Sequence, residues 1–249
     1  MRNGQAIMTD LSQVLLFAML PVMGVLIGTT LAETFRAPGW VIGATLHGAA
    51  GVAIALVSVD LMPRIVDQIA MTTLISAFLA GAVVSVIIER TLRIFRSTER
   101  QPKNLQAWMV YTAIAADLAS DGALTGAGSA IGYNLGLLVA ASQAIANIPG
   151  GFAAASNLRN RNVLRHHRWI AAVAMTIPAM GSAALAYWLL ADADQALRST
   201  TLAFISGVLL LATIEDVVPQ GDAPKPARWL STASFAFGFS GLALLSAYV

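Results

Sequence analysis

The chain contains no cysteine, and few of its residues carry a charge. Asp, Glu, Lys and Arg make up only 11% of its 249 residues, whereas a soluble domain carries about 25%. The absence of cysteine excludes disulfides and thiolate metal sites. Hydrophobic residues reach 57% and the mean hydropathy is +0.71. These proportions indicate a protein that is solvated mainly by lipid.

Long apolar runs account for this composition. Eight of them can cross a hydrocarbon core of about 30 Å, which needs about 20 residues. Polar backbone groups must be satisfied internally in lipid, so runs of this length predict helices, and no strand-like alternation suggests an outer-membrane barrel. We therefore expect an all-α, polytopic membrane protein with eight transmembrane helices in a single domain, residues 1–249. The predicted spans are 11–34, 40–62, 69–89, 107–131, 135–157, 169–191, 199–218 and 227–248.

The basic residues predict the orientation. Of the 15 Lys and Arg residues, 12 lie in the connections that follow the odd-numbered spans. Such loops face the cytoplasm, which places both termini outside the cytoplasm, as expected for a bacterial inner-membrane protein. Residues 90–106 and 158–168 would form basic cytoplasmic loops. The first ten residues lack the pattern of a cleaved secretion signal. The basic residues are interpreted as topology signals and not as a nucleic-acid surface.

Acidic side chains interrupt the fourth span. Asp117, Asp121 and Thr125 follow one another at intervals of four residues, so they share one helix face. A carboxylate near the bilayer centre costs a few kcal/mol or more, and such residues usually mark ion pathways. Gly122 follows directly and is expected to loosen the helix. The simpler interpretation, that the acids only join helices by hydrogen bonds, fits two costly carboxylates poorly.

The fifth span carries a matching polar stripe. Gln143 and Asn147 are also four residues apart, and Pro149 and Gly150 follow. Proline removes a backbone donor and frees a carbonyl group, while glycine leaves room near the backbone. Carboxylate, amide and carbonyl oxygens are hard ligands for a divalent cation. The predicted metal site therefore consists of Asp117, Asp121, Asn147 and Gln143. For the two amides alone, helix-to-helix hydrogen bonding is an equally ordinary role.

Four further side chains are candidates for the ion pathway. His47 lies in the second span, where a lone histidine is more often a satisfied interior residue. Asp60 ends that span on the outer side, and Glu215 and Asp216 close the seventh span on the cytoplasmic side. Acids at either membrane edge could attract cations, although interfacial solvation is common there.

Five short motifs follow one another along the predicted spans. In order along the sequence they are Asp60-Leu-Met-Pro-Arg64, Asp117-Leu-Ala-Ser-Asp-Gly122, Ala146-Asn-Ile-Pro-Gly-Gly-Phe-Ala153, Pro178-Ala-Met-Gly181 and Glu215-Asp-Val-Val-Pro-Gln220. They resemble motifs of the ZIP (Zrt/Irt-like) metal transporters in their prokaryotic form, a family with an H-N-x-P-E-G type motif in span 4 and a related motif in span 5. The resemblance implies eight spans with both termini outside. It also implies import of a divalent metal such as zinc, iron or manganese, which is the substrate and not a bound cofactor.

The chain departs from the family pattern at the implied metal centre. Position by position, the histidine and glutamate of span 4 fall on Asp117 and Asp121, and an asparagine becomes Leu118. In span 5 the donors fall on Ala146, Asn147 and Gly150, and a span 6 glutamate becomes Ile177. A two-metal centre would lose its bridging carboxylate, and the lack of histidine shifts the preference towards harder cations.

Other functions remain open to different degrees. Intramembrane aspartyl hydrolysis needs two acids from separate helices, and no serine arrangement stands out, so we do not expect an enzyme. A relative that no longer transports and acts as a scaffold or sensor remains an alternative. So does a permease in which Asp117 and Asp121 bind protons or an organic cation. The sequence leaves a homodimer open.

Overall fold

The computed structural model describes the backbone of residues 4–96, 103–223 and 225–248. It describes the side chains of residues 11–91, 112, 115–223 and 225–248. Every element found in these residues is helical, which confirms the predicted all-α class. The helices are α1 (Gly4–Thr34), α2 (Gly39–Ala55), α3 (Met62–Ile65), α4 (Met71–Arg96), α5 (Lys103–Ile131), α6 (Tyr133–Asn160), α7 (Arg165–Ala174), α8 (Thr176–Leu190), α9 (Gln195–Ala212), α10 (Val218–Asp222) and α11 (Arg228–Ser246). Two π-helical segments, π1 (Leu56–Leu61) and π2 (Thr213–Val217), connect α2 to α3 and α9 to α10.

The chain is a multi-pass membrane protein. Among the described residues, seven helical segments are long and apolar enough to span a bilayer. The remaining predicted span, the fourth, at 107–131, corresponds to α5, which is 29 residues long. Apolar side chains such as Ile177, Trp188 and Phe237 are exposed on the outer surface of the bundle, where lipid would cover them. The predicted number of spans therefore agrees with the helices observed.

Glycines set the helix packing. Gly24 and Gly28 of α1 lie against backbone atoms of α6 so closely that a Cβ would come within 2.1 Å of a carbonyl oxygen. The same close approach joins α5 to α8, α2 to α11 and α4 to α9. Small residues permit such backbone contact, which is a main source of helix association in lipid. The bundle is thus built from four closely packed helix pairs.

The pairs form two groups. The pairs α1–α6 and α5–α8 also pack on each other and make a four-helix group. The pairs α2–α11 and α4–α9 make the other group and connect through π1, π2, α3 and α10. Contacts between the groups are fewer, chiefly those of α2 with α6 and of α5 with α9. The division leaves space between α5 and α6 on one side and α2 and π2 on the other.

Prolines explain the two π segments and one helix break. Pro63 and Pro219 each stand three residues after an aspartate, Asp60 in π1 and Asp216 in π2. Because proline has no N–H, the preceding turn loses an α-helical hydrogen bond and widens. Pro178 acts in the same way, since α7 ends at Ala174, the residue whose carbonyl Pro178 cannot bind. Asp60 and Asp216 thus lie in widened turns.

The loops in the structure are shorter than those predicted from the sequence. The connection at 158–168 is reduced to residues 161–164, because α6 continues to Asn160 and α7 begins at Arg165. At 90–106, α4 extends to Arg96 and α5 begins at Lys103, and residues 97–102 lie outside the described part. Charged residues are good helix formers, so helices continue past the apolar core. We call the end of the bundle that carries Arg159, Arg168 and Lys225 the basic end.

Adding a methyl group at Gly81 is expected to destabilise the bundle. A Cβ there would lie 1.9 Å from the carbonyl oxygen of Phe204, so α4 and α9 would have to separate. Overpacking of this kind costs about 1–3 kcal/mol, so Gly81→Ala should lower the unfolding temperature in detergent by about 3–10 °C. Gly241→Ala is the matched control, since its Cβ meets nothing within 4 Å. Equal unfolding temperatures for the two variants would contradict this packing.

Candidate functional site

A cavity of about 530 Å³ lies between the two helix groups. It extends from the middle of α5 and α6 to the basic end, where Arg161 and Gln220 line it. Its walls are apolar residues of α1, α2 and α9, such as Val25, Val52 and Leu209. All four predicted metal ligands line this cavity. Its polar side chains are Asp117, Asp121, Ser142, Gln143, Asn147, Asn157, Arg161, Thr213, Asp216 and Gln220.

Asp121 and Asn147 form the innermost polar contact. The Asn147 Nδ2 donates a hydrogen bond to Asp121 Oδ2 over 2.6 Å, and this bond joins α5 to α6. Asp121 is 5% exposed and Asn147 is 7% exposed. The helices are adjacent because only Gly132 separates the end of α5 from the start of α6. The amide therefore fixes the orientation of a carboxylate that apolar helices surround.

Asp117 stands one turn nearer the basic end and is exposed to the cavity. Asp216 of π2 lines the same cavity from the other helix group, close enough for the two negative charges to repel each other. The cavity thus brings together carboxylates from α5 and π2, and amide oxygens from α6. Such a set attracts cations and provides hard oxygen donors.

The described part of the cavity lining offers no soft ligand. None of the described residues that line it is histidine, cysteine or methionine. Hard divalent cations such as Mg²⁺ and Mn²⁺ take carboxylate, carbonyl and water oxygens, whereas imidazole and thiolate favour zinc and copper. The described lining therefore offers hard oxygen donors.

The backbone residues expected to shape the site have different roles. The prediction that Gly122 loosens the helix is wrong, because α5 is continuous at this residue. The glycine instead permits close packing against Ala179 of α8. Pro149 is buried inside the continuous α6, where it leaves the carbonyl of Ile145 without its helical donor. Gly150 lines the cavity, and a Cβ added there would meet nothing within 4 Å. The site thus has room for a side chain at position 150.

His47 lies near the cavity but does not line it. Its Nδ1 donates to the carbonyl oxygen of Gly43 over 2.8 Å, and its Nε2 lies 3.2 Å from Asp222 Oδ1. The ring packs so closely on Gly221 that a Cβ there would come within 2.8 Å of it. Both nitrogens have partners, as the interpretation of a satisfied interior histidine predicts.

The remaining pathway candidates, Asp60, Glu215 and Asp216, do not lie together in one place. Asp60 lies at the opposite end of the bundle from Asp216 and does not line the cavity. It is 2% exposed, and Arg64 donates to its Oδ1 from Nη2 over 3.0 Å and from Nε over 3.2 Å. Glu215 is half-buried in π2 and also does not line the cavity, whereas its neighbour Asp216 does. Only Asp216 of these candidates joins the four predicted ligands.

Two features of the site region were missed from the sequence. Arg161 was treated only as a topology signal, yet it lines the cavity at the basic end, where its Nε donates to Asn157 Oδ1 over 2.7 Å. Glu33 forms a buried ion pair with Arg168, which donates from Nε to Oε1 over 2.6 Å and from Nη2 to Oε2 over 2.8 Å. A lone acid at the end of the first apolar run was the available signal for this pair, which ties α1 to α7.

Comparisons with known proteins leave the resemblance as a prediction. No family model matches the chain, and no curated protein shows a significant match to it.

Proposed function

We propose that the chain is a permease that imports a divalent metal cation through the cavity between the two helix groups. Asp117 and Asp121 would be the primary ligands, and Asn147 and Gln143 would complete the site from α6. The observation that carries this proposal is the placement of all four side chains in one cavity inside an apolar helix bundle. A carboxylate at membrane depth is costly and is usually retained for a function.

The donor set favours a hard cation over zinc. Two aspartates and two amides present only oxygen ligands once the amide groups turn their carbonyls to the ion. We therefore expect manganese, iron(II) or magnesium as the substrate class. The ZIP-like order of motifs along the sequence supports transport of a divalent metal, while the absence of histidine from the cavity lining supports the change of preference.

The two helix groups suggest how the cation would cross. The cavity extends to the basic end, and the opposite side of Asp121 is closed by the packed α5 and α6. Movement of one group against the other would expose the carboxylates to each side in turn, as in other transporters with midplane sites. The first group, which carries Asp117 and Asp121, meets the second through few contacts.

A transport-inactive scaffold or sensor is the second candidate. Among the described residues, no group of three or more His, Cys, Asp or Glu side chains is placed to hold a metal ion. Two carboxylates and two amides form a weaker site than most resident metal centres have. Weak binding also suits a carrier, which must release its substrate, so the two candidates need a direct test.

Cation uptake by the purified protein in liposomes distinguishes them. Vesicles would be loaded with a divalent-sensitive dye and exposed to Mn²⁺, Fe²⁺, Mg²⁺ or Zn²⁺ in separate assays. The permease proposal expects uptake of at least one hard cation above that of protein-free vesicles. Folded protein that transports none of the four would favour the scaffold.

The basic end is expected to face the cytoplasm of a bacterial inner membrane, with both termini outside. The chain has no native cysteine, so single cysteines at Leu164 and Asp192 can be labelled without background. Both residues are exposed in connections at opposite ends of the bundle. A membrane-impermeant maleimide should label Asp192→Cys in intact cells and Leu164→Cys only in inverted vesicles. The reverse pattern would overturn the orientation.

A further inference from the structure

Two buried polar side chains next to Asp121 have no hydrogen-bond partner among the described residues. They are Gln143, 4% exposed, and Thr125, which is fully buried. The unpartnered atoms are Nε2 and Oε1 of Gln143 and Oγ1 of Thr125. Buried polar groups are almost always hydrogen-bonded, and an exception often marks a place for water or an ion. In lipid the cost of an unpartnered group is greater still, because bulk water cannot reach it.

The register of α5 and α6 places these groups on one side of Asp121. The bond from Asn147 to Asp121 aligns the two antiparallel helices. One turn from that bond towards Gly132, α5 presents Thr125 and α6 presents Gln143. Gln143 also lines the cavity together with Asp121. Asp121, Gln143 and Thr125 therefore form a polar cluster that lies on the far side of Asp121 from the cavity mouth.

Distance separates this cluster from Asp117. Thr125 is eight residues beyond Asp117 on the same helix, which corresponds to a rise of about 12 Å. Two oxygen ligands of one cation are at most about 5 Å apart, because each lies about 2.3–2.6 Å from the ion. An ion bound by Thr125 is therefore out of reach of Asp117. The cluster is therefore a position distinct from that of a cation bound to Asp117, although it shares Asp121 and Gln143 with the proposed divalent site.

The single negative charge of the cluster, that of Asp121, indicates which kind of cation it would bind. One carboxylate, one amide oxygen and one hydroxyl carry a single negative charge when Asp121 is ionised. That charge balances a monovalent cation, whereas a divalent cation relies on more than one charged donor. Water would satisfy the same hydrogen-bonding atoms but would leave the charge of Asp121 uncompensated in the membrane. A small, hard monovalent cation satisfies the atoms and the charge together.

We propose that Asp121, Gln143 and Thr125 form a second cation site that binds Na⁺. The site would neutralise Asp121 when no divalent cation occupies the cavity. Its existence does not depend on the proposed divalent transport, although the two sites share Asp121 and Gln143. Because two cations on one carboxylate repel each other, Na⁺ and the divalent cation would weaken each other's binding.

Thermal unfolding of the purified full-length protein in detergent tests this site. The buffers would contain NaCl, KCl or N-methylglucamine chloride at equal ionic strength, with a chelator to remove divalent ions. Saturating Na⁺ should raise the unfolding temperature by about 4 °C above the value in N-methylglucamine, because only the folded protein binds it. Potassium should have a smaller effect.

Two nearly isosteric variants show whether the cluster is responsible. Thr125→Val and Gln143→Leu should each remove most of the Na⁺-dependent rise. Ser206→Ala should keep it, since Ser206 is another buried hydroxyl without a hydrogen-bond partner among the described residues, on α9. The transition of each variant in N-methylglucamine shows that it is folded, and Thr125→Val alone suffices if Gln143→Leu does not fold.

The outcomes separate this proposal from that of divalent transport. No Na⁺-specific rise in the native protein, or a rise that both variants retain, overturns the Na⁺ site whatever the liposome assay shows. A rise that Thr125→Val abolishes supports the site even if no divalent cation is transported. With that pair of results, the Na⁺ site would be supported and only the proposed permease function would be contradicted.

Discussion

Replacing Asp121 with asparagine is expected to lower divalent cation uptake by at least about ten-fold while the helix bundle stays folded. Asparagine keeps the shape of the side chain and an oxygen that can accept the bond from Asn147 Nδ2, now 2.6 Å from Asp121 Oδ2. It removes one of the two negative charges that α5 places in the cavity. A hard cation depends on charged oxygen donors, so its binding should weaken strongly. Stability should not fall, because an amide is less costly to bury than a carboxylate.

Both quantities should be measured on one preparation, as uptake in liposomes and as thermal unfolding in detergent. Asp192→Asn is the matched control, since Asp192 is an exposed acid that does not line the cavity. It should change neither quantity. If Asp121 only joins α5 to α6, the opposite pattern will appear, with reduced stability and unchanged uptake per folded molecule. That result would remove Asp121 from the site and leave Asp117 insufficient to support metal transport.

The double substitution Asp117→His and Gly150→Glu is expected to raise zinc affinity by at least about ten-fold, because imidazole is a preferred zinc ligand and the glutamate adds a charged donor. Asp117 and Gly150 line the same cavity. Position 150 can accept a side chain, since a Cβ there meets nothing within 4 Å. Isothermal titration of the purified protein with Zn²⁺ and Mn²⁺ would measure the affinity and the change in preference.

The single variants are the controls for this change. Gly150→Glu alone adds a third carboxylate next to Asp117 and Asp121, which raises the cost of the unliganded state. Asp117→His alone provides a soft ligand but removes a negative charge. Each should therefore gain less zinc affinity than the pair. A folded double variant without zinc binding would contradict the assignment of positions 117 and 150 to the metal centre.

The polar stripes on the fourth and fifth spans were the most informative part of the sequence. Spacing of four residues placed Asp117 and Asp121 on one face of α5, and Gln143 and Asn147 on one face of α6. The single residue between these helices makes them antiparallel neighbours. Local rules therefore sufficed to predict that the two stripes meet, because helical periodicity and a short connection leave few alternatives.

The other wall of the site could not be predicted in this way. Asp216 comes from π2, almost a hundred residues from Asp117 in sequence, and its position depends on a widened turn before Pro219. Arg161 and Asn157 enter the cavity because α6 extends past the apolar core. Conversely, Asp60 follows the same aspartate-to-proline pattern as Asp216 but pairs with Arg64 and does not line the cavity. The same aspartate-to-proline spacing thus places one acid in the cavity and the other outside it.

Composition and apolar length by themselves determined that this is a multi-pass helical membrane protein, because lipid permits few other ways to satisfy the backbone. Periodicity determined which polar residues share a helix face. Tertiary packing alone decided which faces meet and where space remains between them. The reason is physical: close approach at Gly24, Gly81 and Gly126 depends on the shape of the partner helix. The cavity at Asp117 and Asp121 is what the packing of the four helix pairs leaves unfilled.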